Sequence, residues 1–220
     1  VRIRCEVDPV LEITEITDRM SKSRFDRWGL GGPALLFEKV KGSRMPLVIN
    51  LLGSERRMAR ALRVKHVDEL AERIAALIKP DVPEGGLVEK LKMLPDLARM
   101  AKTLGSLPPK IVASGPCQEV VKTGDQVDLY ELPVIKCWPL DAGKFITFGQ
   151  VFTRNPESGE RNVGVYRLQL FDKKTTAMHW HLHHDGAQNC QRYKKRNEKM
   201  PIAVSIGGDP IYPFMGIAPM

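Results

Sequence analysis

The sequence predicts an α+β fold, in which an amino-terminal α/β domain over residues 1–110 precedes a β-rich domain over residues 111–220. Two observations predict this organisation. In the first half, helical periodicities of apolar residues alternate with short apolar runs that Gly and Pro punctuate. In the second half, short β-like runs follow one another with turn residues between them, which is typical of an antiparallel sheet or a small barrel.

The first half is expected to begin with a helix. Apolar residues recur at near-helical spacing through VLEITEITDRMSKS, and Asp8-Pro9 just before it supplies a cap and a first-turn proline. The remaining patterns predict two short strands in GGPALLFEKVKG and MPLVINLLGS, two helical pieces in SERRMARALRVKHVDELAERIAALIK, and a helical stretch in LVEKLKMLPDLARMAKTLGSLPPK, residues 87–110.

The second half contains the candidate strands. The predicted β runs are PCQEVVKTG, LPVIKCWP, FITFGQVFTRNP, RNVGVYRLQLFD and TTAMHWHLH. NPESGERN has the turn residues of a hairpin loop between the third and fourth runs, and DKK predicts a tight turn before the fifth. The period of two in a strand then places Gly164, Tyr166 and Leu168 on one face and Val165 and Arg167 on the other.

Composition and charge exclude several classes of protein. No apolar run approaches the roughly 20 residues needed to cross a bilayer, and VRIRCEVDPV at the start lacks the apolar segment of a signal peptide, so we expect a cytoplasmic location. The net charge of +8 is densest in QRYKKRNEK, but only 6% of residues are aromatic, so we expect a solvated helix face and no nucleic acid partner.

The cysteines lack CxxC spacing and are expected to be reduced thiols: Cys5, Cys117, Cys137 and Cys190.

The stretch TTAMHWHLHHDG holds four of the five histidines of the chain. If it is a strand, alternation places His179, His181 and His183 on one face and puts Met178, Trp180 and Leu182 on the other. Three interpretations compete for these histidines. They could form a solvated polar face, they could hold a catalytic zinc ion, or they could line a phosphorylated cofactor beside Arg167 and a cation held by oxygen ligands.

The phrase LPVIKCWPLDAGKFITFGQVFTRNPESGERNVGVYRLQLFDKKTTAMHWHLHHDGA, followed by PIAVSIGGDP, closely resembles the UbiD family of decarboxylases that depend on prenylated FMN (prFMN). The most specific pieces are RNVGVYR and MHWHLHHDGA. Upstream, VRIRCEVDPVLEITEITDR, GGPALLFEKVKG, INLLGSERRMARAL and DELAERI resemble the amino-terminal domain of that family, so nearly the whole chain is covered.

The resemblance implies a fold and a set of site residues. The second domain would be a split β-barrel of the flavin-reductase-like type, incomplete at its carboxy end, that binds prFMN with Mn²⁺ or Mg²⁺. K⁺ is a further candidate ion. Asn162 matches the metal ligand of the family, and an amide oxygen suits a hard cation. The implied cofactor contacts are Asn162, Val165, Tyr166, Arg167, His179, Trp180, His181, His184 and Asp185. Arg167 is also the implied catalytic residue, because its planar cation can hold a carboxylate by two hydrogen bonds.

The implied reaction is the non-oxidative decarboxylation of an aromatic or α,β-unsaturated carboxylic acid, reversible in some relatives, with phenolic acids expected by analogy. A flavin prenyltransferase would supply the cofactor, and the complete enzyme would be a homo-oligomer or a multi-subunit complex. Family members are longer, so the 220-residue chain is expected to be inactive alone. Two alternatives stay open: a non-catalytic flavin-binding subunit of a larger complex, and a zinc-dependent hydrolase that uses His179, His181 and His183.

Overall fold

A computed structural model of the protein describes residues 1–78, 102, 105 and 110–217, which form a mixed α+β structure with two sheets. The chain divides into two compact units. The first comprises Val1–Arg63 together with Gly124–Met220, and the second comprises Val64–Thr123. Both sheets belong to the first unit. The expected domain boundary near residue 110 stays a prediction.

The first sheet is built from three strands in the order β1-β2-β3. β1 and β2 are parallel because helix α1 carries the chain back between them, whereas β2 and β3 are antiparallel. The elements in chain order are β1 (Arg2–Val7), α1 (Glu12–Ser21), α2 (Phe25–Trp28), β2 (Leu35–Val40), β3 (Leu47–Ile49) and α3 (Glu55–Ala61). Their core includes the fully buried Phe37 and Ile13, so α1 packs on the sheet through its apolar side.

The second sheet has four antiparallel strands in the order β6-β5-β4-β7. Its elements are β4 (Phe145–Arg154), β5 (Arg161–Leu170), β6 (Thr176–Met178), α5 (Asp185–Lys195), β7 (Ala203–Ser205) and α6 (Tyr212–Ile217). In β5 the face that carries Tyr166 and Leu168 is the buried one, and both side chains lie in the core beside Val151 of β4. Within the part of the chain that the structure describes, this sheet does not close into a barrel, and the split-barrel expectation stays a prediction.

One segment joins the cores of the two sheets. Val134 packs in the core of the second sheet, whereas Ile135 packs in the core of the first. Neighbouring residues of an extended chain point in opposite directions, so a single short segment can enter both cores. Two isolated bridges, Val10 with Lys136 and Ile135 with Phe145, hold this segment in place.

Three sequence predictions in the second half are wrong or only partly right. PCQEVVKTG is not a strand: Pro116–Gln118 forms a 3₁₀ turn, and Val120 and Val121 after it are exposed. LPVIKCWP forms only the two isolated bridges, because the prolines at its ends cannot donate to a ladder. The strand in TTAMHWHLH ends at Met178.

The second unit contains α4 (Asp68–Ile78), as the helical pattern predicted. The predicted helix over residues 87–110 lies outside the described residues except at 102, 105 and 110. Among the helices that the structure describes, none combines the length and apolar character needed to cross a membrane.

Candidate active site

The candidate site lies where β5 is left without a strand neighbour on one side. β6 pairs only with residues 168–170 of β5, and further along β5 Asn162 and Tyr166 contact the beginning of α5 instead. Tyr166 brings the helix close, since its hydroxyl accepts a hydrogen bond of 3.3 Å from the backbone N–H of Gly186. A Cβ on Gly186 would lie 3.0 Å from that hydroxyl, so a glycine permits the close approach.

A cavity of about 480 Å³ opens at this place. Its lining comes from residues 162–166 of β5, residues 183–185 at the start of α5, and residues 216 and 217 of α6. Five of the predicted site residues line it: Asn162, Val165, Tyr166, His184 and Asp185. The structure therefore brings together residues from β5 and α5 that are about twenty positions apart in the sequence.

Asn162 and His184 present polar atoms without partners at this cavity. The Nδ2 of Asn162 donates a 3.4 Å hydrogen bond to Oδ2 of Asp185, but its Oδ1 is buried and has no partner among the described residues. The Nδ1 of His184, the residue that precedes α5, is likewise buried and unpaired there. Buried polar atoms without partners cost free energy, so both atoms are suited to a ligand.

Tyr166 forms the wall between the cavity and the core. The side chain is buried, and its ring lies 6.0 Å from the ring of Trp180 in an edge-to-face arrangement and 5.8 Å from that of His184. Burial raises the pKa of the Tyr166 hydroxyl, and the Asp185 carboxylate acts in the same direction, whereas the Gly186 N–H opposes them. The phenol is therefore held in its neutral form.

The four clustered histidines do not alternate along a strand. The backbone N–H of His179 still donates to the carbonyl of Arg167, at 3.0 Å, but the chain then turns, and α5 begins at Asp185. Leu182, which the alternation places on the same face as Trp180, is 84% exposed, whereas Trp180 packs against the core. The alternation was wrong here because the helix start, which lacks a strong N-cap residue, interrupts the strand pattern.

The histidine rings nevertheless stay close to one another. The ring centroid of His181 lies 5.1 Å from that of His179, 5.7 Å from that of His183 and 5.2 Å from that of His184. Within the described ranges, however, no group of three or more His, Cys, Asp or Glu side chains is placed to hold a metal ion. The arrangement thus gives no support to a zinc tripod made from His179, His181 and His183. His179, Trp180 and His181 do not line the cavity.

Arg167 lies one residue beyond the cavity-lining part of β5 and on the opposite face from Tyr166. Its Nη2 atom is 3.3 Å from Oδ2 of Asp141, and its guanidinium lies over the ring of Phe145, 3.9 Å from the centroid. The side chain is 41% exposed, so the cation remains accessible to a ligand.

Sequence reasoning missed the small residues that shape the cavity. A Cβ on Gly164 would lie 2.6 Å from the ring of Tyr166, and one on Gly216 would lie 2.9 Å from Val165. Ile217 of α6 also lines the cavity. Gly164, two residues before Tyr166, was visible in RNVGVYR, and a glycine within a strand is a signal of close approach.

Two family models, both of carboxy-lyase domains, match the chain. Residues 110–220 match the 3-octaprenyl-4-hydroxybenzoate carboxy-lyase Rift-related domain of UbiD, and residues 1–77 match the corresponding amino-terminal domain. The chain therefore belongs to the UbiD family. It is 46% identical over all 220 residues to an uncharacterized protein of Aquifex aeolicus (strain VF5), and it spans 43% of the length of that protein.

Solved structures of the same class share the fold. The chain is 27% identical, with a TM-score of 0.71, to an evolved dimeric form of the UbiD-class enzyme HmfF from Pelotomaculum thermopropionicum in complex with prFMN, covering 96% of this chain and 41% of that one. It is 25% identical, with a TM-score of 0.72, to the vanillic acid decarboxylase of Sedimentibacter hydroxybenzoicus, covering 98% of this chain and 41% of that one. The chain thus matches less than half of each enzyme.

Proposed function

We propose that this chain is the cofactor-binding portion of a decarboxylase that uses prFMN to remove CO₂ from an aromatic carboxylic acid. The single observation that carries the proposal is the cavity beside β5, where the buried Oδ1 of Asn162 and Nδ1 of His184 have no partner among the described residues. The family membership of the chain and the prFMN bound to HmfF support the same cofactor.

The residues present fit such a cofactor and its metal. Asn162 offers an unpaired amide oxygen, a hard donor suited to Mn²⁺ or Mg²⁺, and the carboxylate of Asp185 lies beside it. His184 offers a ring nitrogen, and the backbone of Val165 and the ring of Tyr166 form the wall of the cavity. K⁺ is a further candidate ion for these oxygen donors. When bound, prFMN supplies the electron sink for the electron pair that departing CO₂ leaves behind.

The protein side chains orient the substrate and control charge. Arg167 binds the carboxylate of the substrate, since guanidinium N–H donors match the geometry of a carboxylate. Tyr166 keeps the wall neutral, because its raised pKa disfavours a phenolate next to Asp185. Its hydrogen bond with Gly186 fixes the start of α5 and so the position of His184.

The substrate class is proposed as aromatic acids, with phenolic acids first. Vanillic acid is the substrate named for the relative that is 25% identical to this chain. In the cell, a flavin prenyltransferase would supply the cofactor. Because the chain spans less than half of its relatives, the complete protein would carry the activity, as an oligomer and in the cytoplasm.

Turnover by the complete protein, co-produced with a flavin prenyltransferase, tests this proposal. We expect CO₂ release from at least one phenolic acid in a panel that includes vanillic and 4-hydroxybenzoic acid. Arg167→Lys should retain the flavin absorbance but lose about 10- to 100-fold in kcat/KM, because a lysine cannot reproduce the hydrogen bonds of the guanidinium. Arg154→Lys, an exposed arginine on β4, is the matched control and should leave turnover unchanged.

Two outcomes would contradict the proposal. If the prFMN-loaded protein releases no CO₂ from any aromatic acid, the proposed decarboxylase function is wrong. Normal turnover by Arg167→Lys would show that Arg167 has no catalytic role. Only the proposed binding of the cofactor would then remain.

A further inference from the structure

The guanidinium of Arg167 is held from two directions. Asp141 contacts it at one end, with a 3.3 Å ion pair between Oδ2 and Nη2. Phe145 lies under its plane, with the ring centroid 3.9 Å from Cζ. Phe145 pairs in register with Gln169, so Arg167 is its diagonal neighbour across the β4–β5 ladder, a spacing that long side chains can span. Both contacts arise from residues that the family resemblance did not single out.

The carboxylate of Asp141 is itself fixed. Its Oδ2 accepts a 3.1 Å hydrogen bond from the backbone N–H of Trp138, and its own N–H donates to the Trp138 carbonyl, also at 3.1 Å. These two bonds close a tight turn that leads directly into β4. The side chain of Asp141 is only 16% exposed, less than half the exposure of its partner. The acid is therefore the rigid member of the pair.

This contact uses only a small part of what Arg167 can donate. A guanidinium has five N–H groups, and Asp141 receives one of them, end-on. Among the described residues, Arg167 donates no other side-chain hydrogen bond. The remaining N–H groups, on Nε and Nη1 above all, are available for a second carboxylate, and a flat aromatic surface below keeps their plane fixed.

Stability alone does not explain this arrangement. Ion pairs with a largely exposed partner contribute little to the free energy of unfolding, and Arg167 is 41% exposed. A fixed acid and a ring that hold an accessible arginine are instead the features of a preorganised receptor, in which the binding of a ligand does not have to order the side chain.

We propose that Asp141, assisted by Phe145, is a positioning residue that holds the Arg167 guanidinium ready to receive the carboxylate of an aromatic acid. This inference rests on the proposed function and deepens it. It assigns to the turn before β4 a role in substrate recognition, exerted through Arg167 and without contact to the substrate.

The test compares Asp141→Ala and Asp141→Asn with wild type in the complete protein loaded with prFMN. Benzoate and its neutral isostere benzamide serve as probes in calorimetric titrations, beside kcat and KM for the best aromatic acid. Asp125→Asn, which removes the ion pair of Asp125 with Lys174 elsewhere in the same unit, is the matched control.

We expect Asp141→Ala to raise KM and the Kd of benzoate about tenfold or more, with a smaller change in kcat, since a charged hydrogen bond that orders the receptor is lost. The Kd of benzamide and the flavin absorbance should not change. Asp141→Asn should recover part of the benzoate affinity, because its amide oxygen can still accept from Arg167 and from Trp138. Asp125→Asn should match wild type.

Three results would overturn the inference. The first is that benzoate fails to bind wild type, and the second is that Asp141→Ala binds benzoate as tightly as wild type does. The third is that Asp141→Ala loses benzoate and benzamide affinity equally, which would indicate a structural role. Failure of the proposed function is separable from these. If wild type turns over no acid, the benzoate titrations still decide the role of Asp141.

Discussion

Asn162 and Asp185 meet where strand β5 passes the beginning of helix α5, with the Nδ2 of the amide 3.4 Å from Oδ2 of the carboxylate. This contact orients the amide so that its Oδ1 atom is buried without a partner among the described residues. The same interaction that ties the helix to the strand thus leaves an oxygen donor unpaired at the cavity. Fold and site are therefore coupled at this contact.

Gly164→Ala should disturb the cavity wall. An added Cβ would lie 2.6 Å from the Tyr166 ring, far inside van der Waals contact, so the ring must move away. We expect a loss of about 1–3 kcal/mol in the free energy of unfolding, measured by denaturant titration, and weaker flavin retention. Gly115→Ala is the control, since its Cβ would meet only Cys117 Sγ at 3.8 Å. Equal stability of the two variants would show that Tyr166 is not packed as described.

Tyr166 should make stability depend on alkaline pH. Burial raises its pKa in the folded state above the value of about 10 in the unfolded chain, so the folded state holds the phenolic proton more tightly. The corresponding stabilisation is fully present below about pH 10 and is lost as the pH rises through the folded pKa. Denaturant unfolding at several values between about pH 8 and pH 11 should therefore show a steeper decline for wild type than for Tyr166→Phe.

The same variant has an effect at neutral pH. Tyr166→Phe removes the acceptor of the Gly186 N–H and should cost about 0.5–1.5 kcal/mol. Tyr212→Phe is the control, because that side chain is 44% exposed. If Tyr212→Phe flattens the alkaline decline as much as Tyr166→Phe does, the assignment of the decline to Tyr166 is wrong.

Arg57 should stabilise the glycine-rich loop before β2. Its Nε donates to the Leu51 carbonyl at 3.0 Å and its Nη1 to the Gly32 carbonyl at 2.8 Å. Burial lowers the pKa of Arg57, a cost that these bonds offset. Arg57→Met leaves both carbonyls without this donor, and we expect it to reduce the free energy of unfolding by about 1–3 kcal/mol in denaturant titrations.

The neighbouring arginine provides the control for that measurement. Arg56 is exposed on the same helix, and Arg56→Met should change stability by no more than about 0.5 kcal/mol. Similar losses for the two variants would indicate a general effect of removed charge and would contradict the role assigned to Arg57.

The sequence predicts well where a local pattern decides the structure. Strands β4 and β5 and the hairpin between them were predicted, because alternation and turn residues agree there, and the division of β5 into two faces follows from the period of two. Strand β1 was not predicted. RIRCEV alternates the charged Arg2, Arg4 and Glu6 with Ile3, Cys5 and Val7, which is the period-two pattern of a strand and was overlooked. Only Val7 is buried, and the strand lies at the edge of the sheet beside β2.

The site could be predicted in part. The motif residues Asn162, Tyr166 and Asp185 line one cavity, and their contact with a cofactor stays a prediction. The histidine alternation failed because a helix begins at Asp185, inside a pattern that also reads as a strand. Asp141 could not have been singled out, because its role depends on a turn that brings it to Arg167, 26 residues away in the sequence.

The most direct test of the central claim is native mass spectrometry with an absorbance spectrum, on the complete protein produced together with a flavin prenyltransferase. We expect a bound mass that matches prFMN plus one divalent metal ion. Asn162→Ala should lose this mass, whereas Asn155→Ala, in the β4–β5 hairpin loop, should retain it. A wild-type protein that carries zinc and no flavin would contradict the proposed prFMN site. It would favour the alternative of a zinc-dependent hydrolase that uses the clustered histidines.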